Sequence, residues 1–100
     1  MTTHNDNPND VFWLARYAHN TLAPVIEALP GQTDTVNAYL YLGISEHPQY
    51  GCLNIYVHTN GLDSGVIAHG SINVTKEAID QLAKGLPHRW QEALGAQVAA

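Results

Sequence analysis

The side chains in this chain that could do chemistry are few, and most fall in one stretch. Of six histidines, five tyrosines and a single cysteine, His58 and His69 lie in alternating segments together with Tyr39, Tyr41 and Tyr56. Two histidines brought together could share a transition metal, or one could act as a general base beside a tyrosine hydroxyl. Two are too few to close a zinc site, and no HxH, HExxH or CxxC spacing supplies further ligands. His4, His19, His47 and His88 are scattered without ligand spacing to one another. Cys52 falls on the same face, but its cross-strand neighbour is near Asn73, and His69 is several residues away, out of reach for activating a thiol. A lone cysteine of this kind reads as a small, half-buried residue. There is no Gly-rich phosphate loop, paired-carboxylate arrangement or GxSxG elbow. These residues predict no enzyme, no catalytic group, no bound metal and no cofactor.

The same residues suit contact better than catalysis. Three alternating segments, Val36–Leu42, Leu53–His58 and Val66–Val74, each split into an aliphatic set and a second set, because a strand sends successive side chains to opposite faces. The second sets are Asn37, Tyr39 and Tyr41; then Cys52, Asn54, Tyr56 and His58; then Ile67, His69, Ser71 and Asn73. A solvated sheet face ordinarily carries Lys, Glu and Thr, whereas this one carries amphipathic rings, amides and hydroxyls with no formal charge. Such rings lose little rotamer entropy on contact, and short amide and hydroxyl groups adapt around them, which is the composition of protein-contact surfaces.

The elements that must position these residues can be read from the flanking pattern. Met1–Asn9 reads as a disordered lead-in and residues 10–100 as a single domain. Val11, Leu14, Ala15, Ala18, Leu22, Val25, Ile26 and Leu29 recur at spacings of three and four, one buried face of a helix beginning near Asp10 and capped by Asn7 or Asn9. Pro24 breaks or kinks it after about Thr21, and Pro30-Gly31 ends it. The strands are joined by two short links rich in turn residues, Ser45–Gly51 and Asn60–Gly65, so they form an antiparallel meander. Two registers are open between the second and third strands: His58 opposite His69, or Tyr56 opposite His69 with the histidines diagonal. Thr75 caps a second helix carrying Ile79, Leu82 and Ala83, Gly85 terminates it, and a short last helix from about His88 to Val98 buries Trp90. Trp13 falls beside the first helix's stripe and, with Phe12 and Tyr17, marks either a core edge or a second contact patch. The fold class is α+β, with helices on one face of a three-stranded meander in the order α-β-β-β-α plus a short C-terminal helix. The other face is left open.

The order α-β-β-β-α resembles that of the double-stranded-RNA-binding domain, and Gly70–Ala78 is similar to that family's entry into its last helix. The resemblance implies a fold. It does not imply RNA binding, because that family grips phosphates with a lysine cluster at this helix start, where Lys76 is here followed by Glu77 and Asp80.

Composition narrows the partner. The chain has 100 residues, a net charge of −5 and only four permanent cations. Four scattered cations cannot displace the counterions of a nucleic acid, and the acids form no phosphate-mimicking run. No apolar stretch approaches a membrane span, and no signal peptide is visible, so the cytoplasm is the expected compartment. The expectation is a non-enzymatic protein-binding module. It would grip another protein, or a second copy of itself, through Tyr39, Tyr41, Asn54, Tyr56, His58, His69, Ser71 and Asn73. Size and acidity are those of inhibitor-type proteins such as immunity proteins and phage anti-defence or anti-CRISPR proteins. The alternative is a small homodimeric enzyme or a ligand- or metal-binding protein using the same face as a pocket floor.

Overall fold

A computed structural model describes residues 10–45, 52–70 and 74–99. Helix α1 (Val11–Glu27) is followed by strands β1 (Asn37–Ser45), β2 (Cys52–Asn60) and β3 (Val66–Gly70) and by helix α2 (Lys76–Ala99). The sheet is antiparallel in the order β1-β2-β3. The expected α+β class and meander are therefore present. Ser71 and Asn73 of the expected site, the end of the third alternating segment and the lead-in Met1–Asn9 lie outside the described residues.

α1 starts at its cap. Asp10, not Asn7 or Asn9, holds the first turn, its carboxylate accepting from the amides of Phe12 at 2.8 Å and Trp13 at 3.1 Å. Leu14, Ala18, Leu22 and Ile26, one every fourth residue, form its buried face. The helix runs through Pro24, which is exposed, so the bond that proline cannot donate is lost on the solvent side. Gly31 then turns the chain at φ 84°. Gln32 closes this corner, donating Nε2 to the carbonyls of Ile26 at 2.7 Å and Leu29 at 3.1 Å while its Oε1 accepts from Ala38 N at 3.1 Å.

The expected short C-terminal helix is absent as a separate element: α2 is continuous from Lys76 to Ala99. Gly85-Leu86-Pro87 resembles a helix stop, but Ile79, Leu86, Trp90 and Ala93 form one buried stripe that only an unbroken helix can present. Burying Leu86 and Trp90 outweighs the local preference, and Gly85 does not adopt positive φ. Thr75 caps α2 as expected, its hydroxyl accepting from Ala78 N at 3.1 Å.

The two helices run in the same direction. Near their starts the Tyr17 hydroxyl donates to Asp80 at 2.5 Å, and beyond the end of α1 the Pro30 carbonyl accepts from Trp90 Nε1 at 2.6 Å. Their apolar faces meet Ala38, Leu53, Ile55, Val57, Ile67 and Ala68 in one core, centred on the fully buried Trp90. No described helix is long and apolar enough to cross a membrane.

Candidate functional site

The face turned away from the helices is assembled by the ladder. Tyr39 pairs with His58, Tyr41 with Tyr56, and Gly43 with Asn54 across β1 and β2, while Tyr56 pairs with His69 across β2 and β3. The second of the two open registers is thus the one adopted, and the two histidines are diagonal neighbours flanking Tyr56.

The rings form one connected layer. Tyr39 stacks on His58 with centroids 5.3 Å apart and planes at 17°. Tyr41 meets His58 edge-on at 6.2 Å and lies 6.2 Å from Tyr56. Tyr56 in turn sits 5.8 Å from His58 and 6.2 Å from His69, stacked on the latter. His58 therefore touches all three tyrosines, and Tyr56 bridges the histidines. Tyr39 and Tyr41 remain 46% and 52% exposed, Tyr56 and His58 are half-buried, and His69 is exposed. No described strand carries a Lys, Arg, Asp or Glu.

A β-bulge corrects the expected face. Val57 opposes Ala68 and His58 opposes Val66, so β3 carries one extra residue, Ile67. Ile67 and Ala68 are both buried, and Val66 turns out onto the open face at 42% exposure. The expectation had been the reverse, with Ile67 out and Val66 in. The signal was in the chain: Val66-Ile67-Ala68 is an unbroken apolar run that strict alternation cannot accommodate.

Asn37 does structural work at the rim. Its amide donates to the carbonyls of Thr33 and Asp34 at 3.0 and 3.2 Å, and its oxygen accepts from Asn60 Nδ2 at 2.9 Å. It locks the end of the β1–β2 pair beside the turn in which Gly61 takes φ 81°. Val66, not Ile67, is the apolar residue that β3 brings to this face. Among the described residues no three His, Cys, Asp or Glu side chains come together as a metal site.

The Phe12, Trp13 and Tyr17 group lies apart, on the helices. Trp13 and Tyr17 stack at 5.3 Å and 5°, and the Lys76 ammonium lies 5.1 Å above the Tyr17 ring and 3.6 Å from Asp80. Tyr17 and Asp80 are tied to each other, so this cluster joins the two helix starts, leaving Phe12 67% exposed at its edge.

No protein-family model matches the chain, and no curated protein or solved structure does either. What the face can do must follow from its own chemistry. It offers broad ring area, hydroxyl and imidazole groups able to donate or accept, and no fixed charge to desolvate.

Proposed function

We propose that this chain is a non-enzymatic binding module that grips another protein through its open sheet face. The reading is carried by one observation. Five rings, Tyr39, Tyr41, Tyr56, His58 and His69, form a continuous and partly exposed layer on a sheet whose described strands hold no Lys, Arg, Asp or Glu. Burying such a layer against a partner desolvates no carboxylate, ammonium or guanidinium, and the rings are already held by one another, so little side-chain freedom remains to be lost. Val66 adds an apolar contact at one margin. Tyr39 and Tyr41 would be the anchors because they combine large area with high exposure, and His58 would fix their orientation. An inhibitor-type role, in which a small acidic domain covers a working surface of its target, fits this arrangement.

The test is site-specific photo-crosslinking in lysate of the native host. A photoreactive phenylalanine analogue placed at Tyr41 should capture one specific protein, and the same probe at Gln81 on α2 should not. A Tyr39→Ala/Tyr56→Ala background, shown folded by circular dichroism, should abolish the Tyr41 adduct. Equal capture from both positions, or capture that survives the double substitution, would retire the face as the binding surface. A rise in melting temperature with a small ligand or metal, lost on changing either histidine, would move the reading to a pocket.

A further inference from the structure

The two edges of the sheet are finished differently. β3 is short and bulged, and the outward carbonyl of its Ile67 accepts from Arg89 Nη1 of α2 at 3.4 Å. Shallow hollows of about 320 and 250 Å³ on either side of Arg89 separate this edge from α2. A bulge and a guanidinium at an edge both oppose the addition of another strand.

Among the described residues β1 has no such guard beyond its first turn. Ala38 N points away from β2, to Gln32 Oε1, whereas Thr59 N of β2 points to the β3 side, to Gly65 O. Backbone groups of an antiparallel strand alternate in direction, so the N–H and C=O of Leu40, Leu42 and Ile44 also point outward. No described residue pairs with them. β1 contains neither proline nor charge. Its side chains at these three positions lie on the helix-covered face, yet Leu40 and Leu42 are only half-buried and Ile44 is 40% exposed.

We propose that β1 pairs antiparallel with β1 of a second copy, about a two-fold axis through Leu42. This register sets Leu42 against its own copy and Leu40 against the partner's Ile44, so each of the three aliphatic side chains gains an aliphatic neighbour. On the open face it sets Tyr41 beside the partner's Gly43. Within each chain the Tyr41 ring leans over Gly43, its hydroxyl 3.1 Å from where a Cβ would stand. A shift toward the start of β1 sets Ile44 against Ala38, whose amide Gln32 already occupies. Only the register through Leu42 uses all three free positions of described residues.

Charge and size specify the strength. The chain carries −5 overall, but β1 brings no ionised group to the contact, so close approach meets no paired like charges. The ladder supplies about six hydrogen bonds, two for each directly bonded pair. A strip about 23 Å long, from seven residues at roughly 3.3 Å each, and about 10 Å wide covers only about 230 Å², well short of the ~800 Å² per partner of a standard interface. The dimer is therefore reversible and forms at micromolar rather than nanomolar concentration. It would join two aromatic layers into one six-stranded face. That consequence rests on the binding reading above, whereas the edge pairing does not.

The experiment is sedimentation velocity of the full chain from low to several hundred micromolar, with three variants. The wild type should pass from monomer to dimer, and Ile44→Lys, an already exposed position, should raise the dissociation constant at least about tenfold, the effect of an inward charge at an edge. Tyr56→Ala/His58→Ala, on the central strand, should leave the dimer intact. In a Cys52→Ser background, Leu42→Cys should form an intermolecular disulfide, since directly paired Cα atoms stand about 5.5 Å apart. Leu40→Cys, facing the partner's Ile44, should not. A wild type that stays monomeric overturns the proposal, as does a dimer lost with Tyr56→Ala/His58→Ala but kept with Ile44→Lys. If Ile44→Lys does not fold, the two cysteine variants decide. Tyr41 capture that survives Tyr39→Ala/Tyr56→Ala, with the wild-type dimer intact, would sink the reading of the face and leave the edge pairing standing.

Discussion

The imidazole of His58 lies flat against the ring of Tyr39, 5.3 Å between centroids across the β1–β2 ladder, and meets Tyr41 edge-on at 6.2 Å. One histidine thus orients the two most exposed tyrosines of the sheet. The arrangement separates what these side chains do for stability from what they do for contact.

Cross-strand ring pairs contribute about 0.2–1 kcal/mol each. His58→Ala, which ends three ring contacts, should cost about 1–2 kcal/mol in urea denaturation, and Tyr39→Ala, which ends one, about half a kcal/mol. Partner affinity should fall much further for Tyr39→Ala than its stability cost explains. Equal small losses in both measurements would mean that the ring layer serves the sheet alone.

Gly61 ends the β1–β2 pair with φ 81°, and a Cβ there would stand 2.1 Å from the Thr35 carbonyl oxygen. That contact is with backbone, so no side-chain rotation relieves it. Gly61→Ala should cost at least about 2 kcal/mol, combining left-handed strain with the clash. Gly65→Ala, where an added Cβ meets nothing within 4 Å, is the control and should stay within about 0.5 kcal/mol. Similar melting temperatures for the two variants would contradict this geometry.

Lys76 should titrate above its ordinary 10.5, held up first by the Tyr17 hydroxyl beside it and then by Asp80. A lysine whose value is raised by folding adds stability below the unfolded value and loses it as pH rises through the folded one. The stabilisation is therefore present at neutral pH, and its loss appears only above about pH 10.5. Tyr17→Phe should bring the ammonium back toward 10.5, measured by its side-chain NMR shift. An unchanged titration would remove Tyr17 as the cause.

Local pattern was enough to place Tyr39, Tyr41, Tyr56, His58 and His69 on one open face, because aliphatic and aromatic residues alternate cleanly through β1 and β2. It was not enough where a distant contact decided the outcome. Gly85-Leu86-Pro87 carries the local chemistry of a helix end, and only the burial of Leu86 and Trp90 against the rest of the core keeps α2 running. The two edge devices, Gln32 on Ala38 and Arg89 on Ile67, join side chains to backbone six and 22 residues away. Such contacts leave no periodic trace. Asp10 and the neighbouring asparagines are equally good capping residues, and the choice among them is made by where the buried face starts.

The bulge gives the sharpest check on the open face, because simple alternation and the observed register predict opposite results. With Ile67 as the extra residue, its side chain lies in the core at 7% exposure while Val66 faces outward beside His58 at 42%. Ile67→Ala should therefore cost about 2–5 kcal/mol, the range for truncating a buried aliphatic side chain. Val66→Ala should change stability by no more than about 0.5 kcal/mol while weakening partner contact at that margin of the face. Uninterrupted alternation would reverse the ranking, with Val66 in the core and Ile67 outside. Urea denaturation of the two variants decides between them, and a larger loss at Val66 would dissolve the margin of the face as drawn, taking His58's neighbour with it.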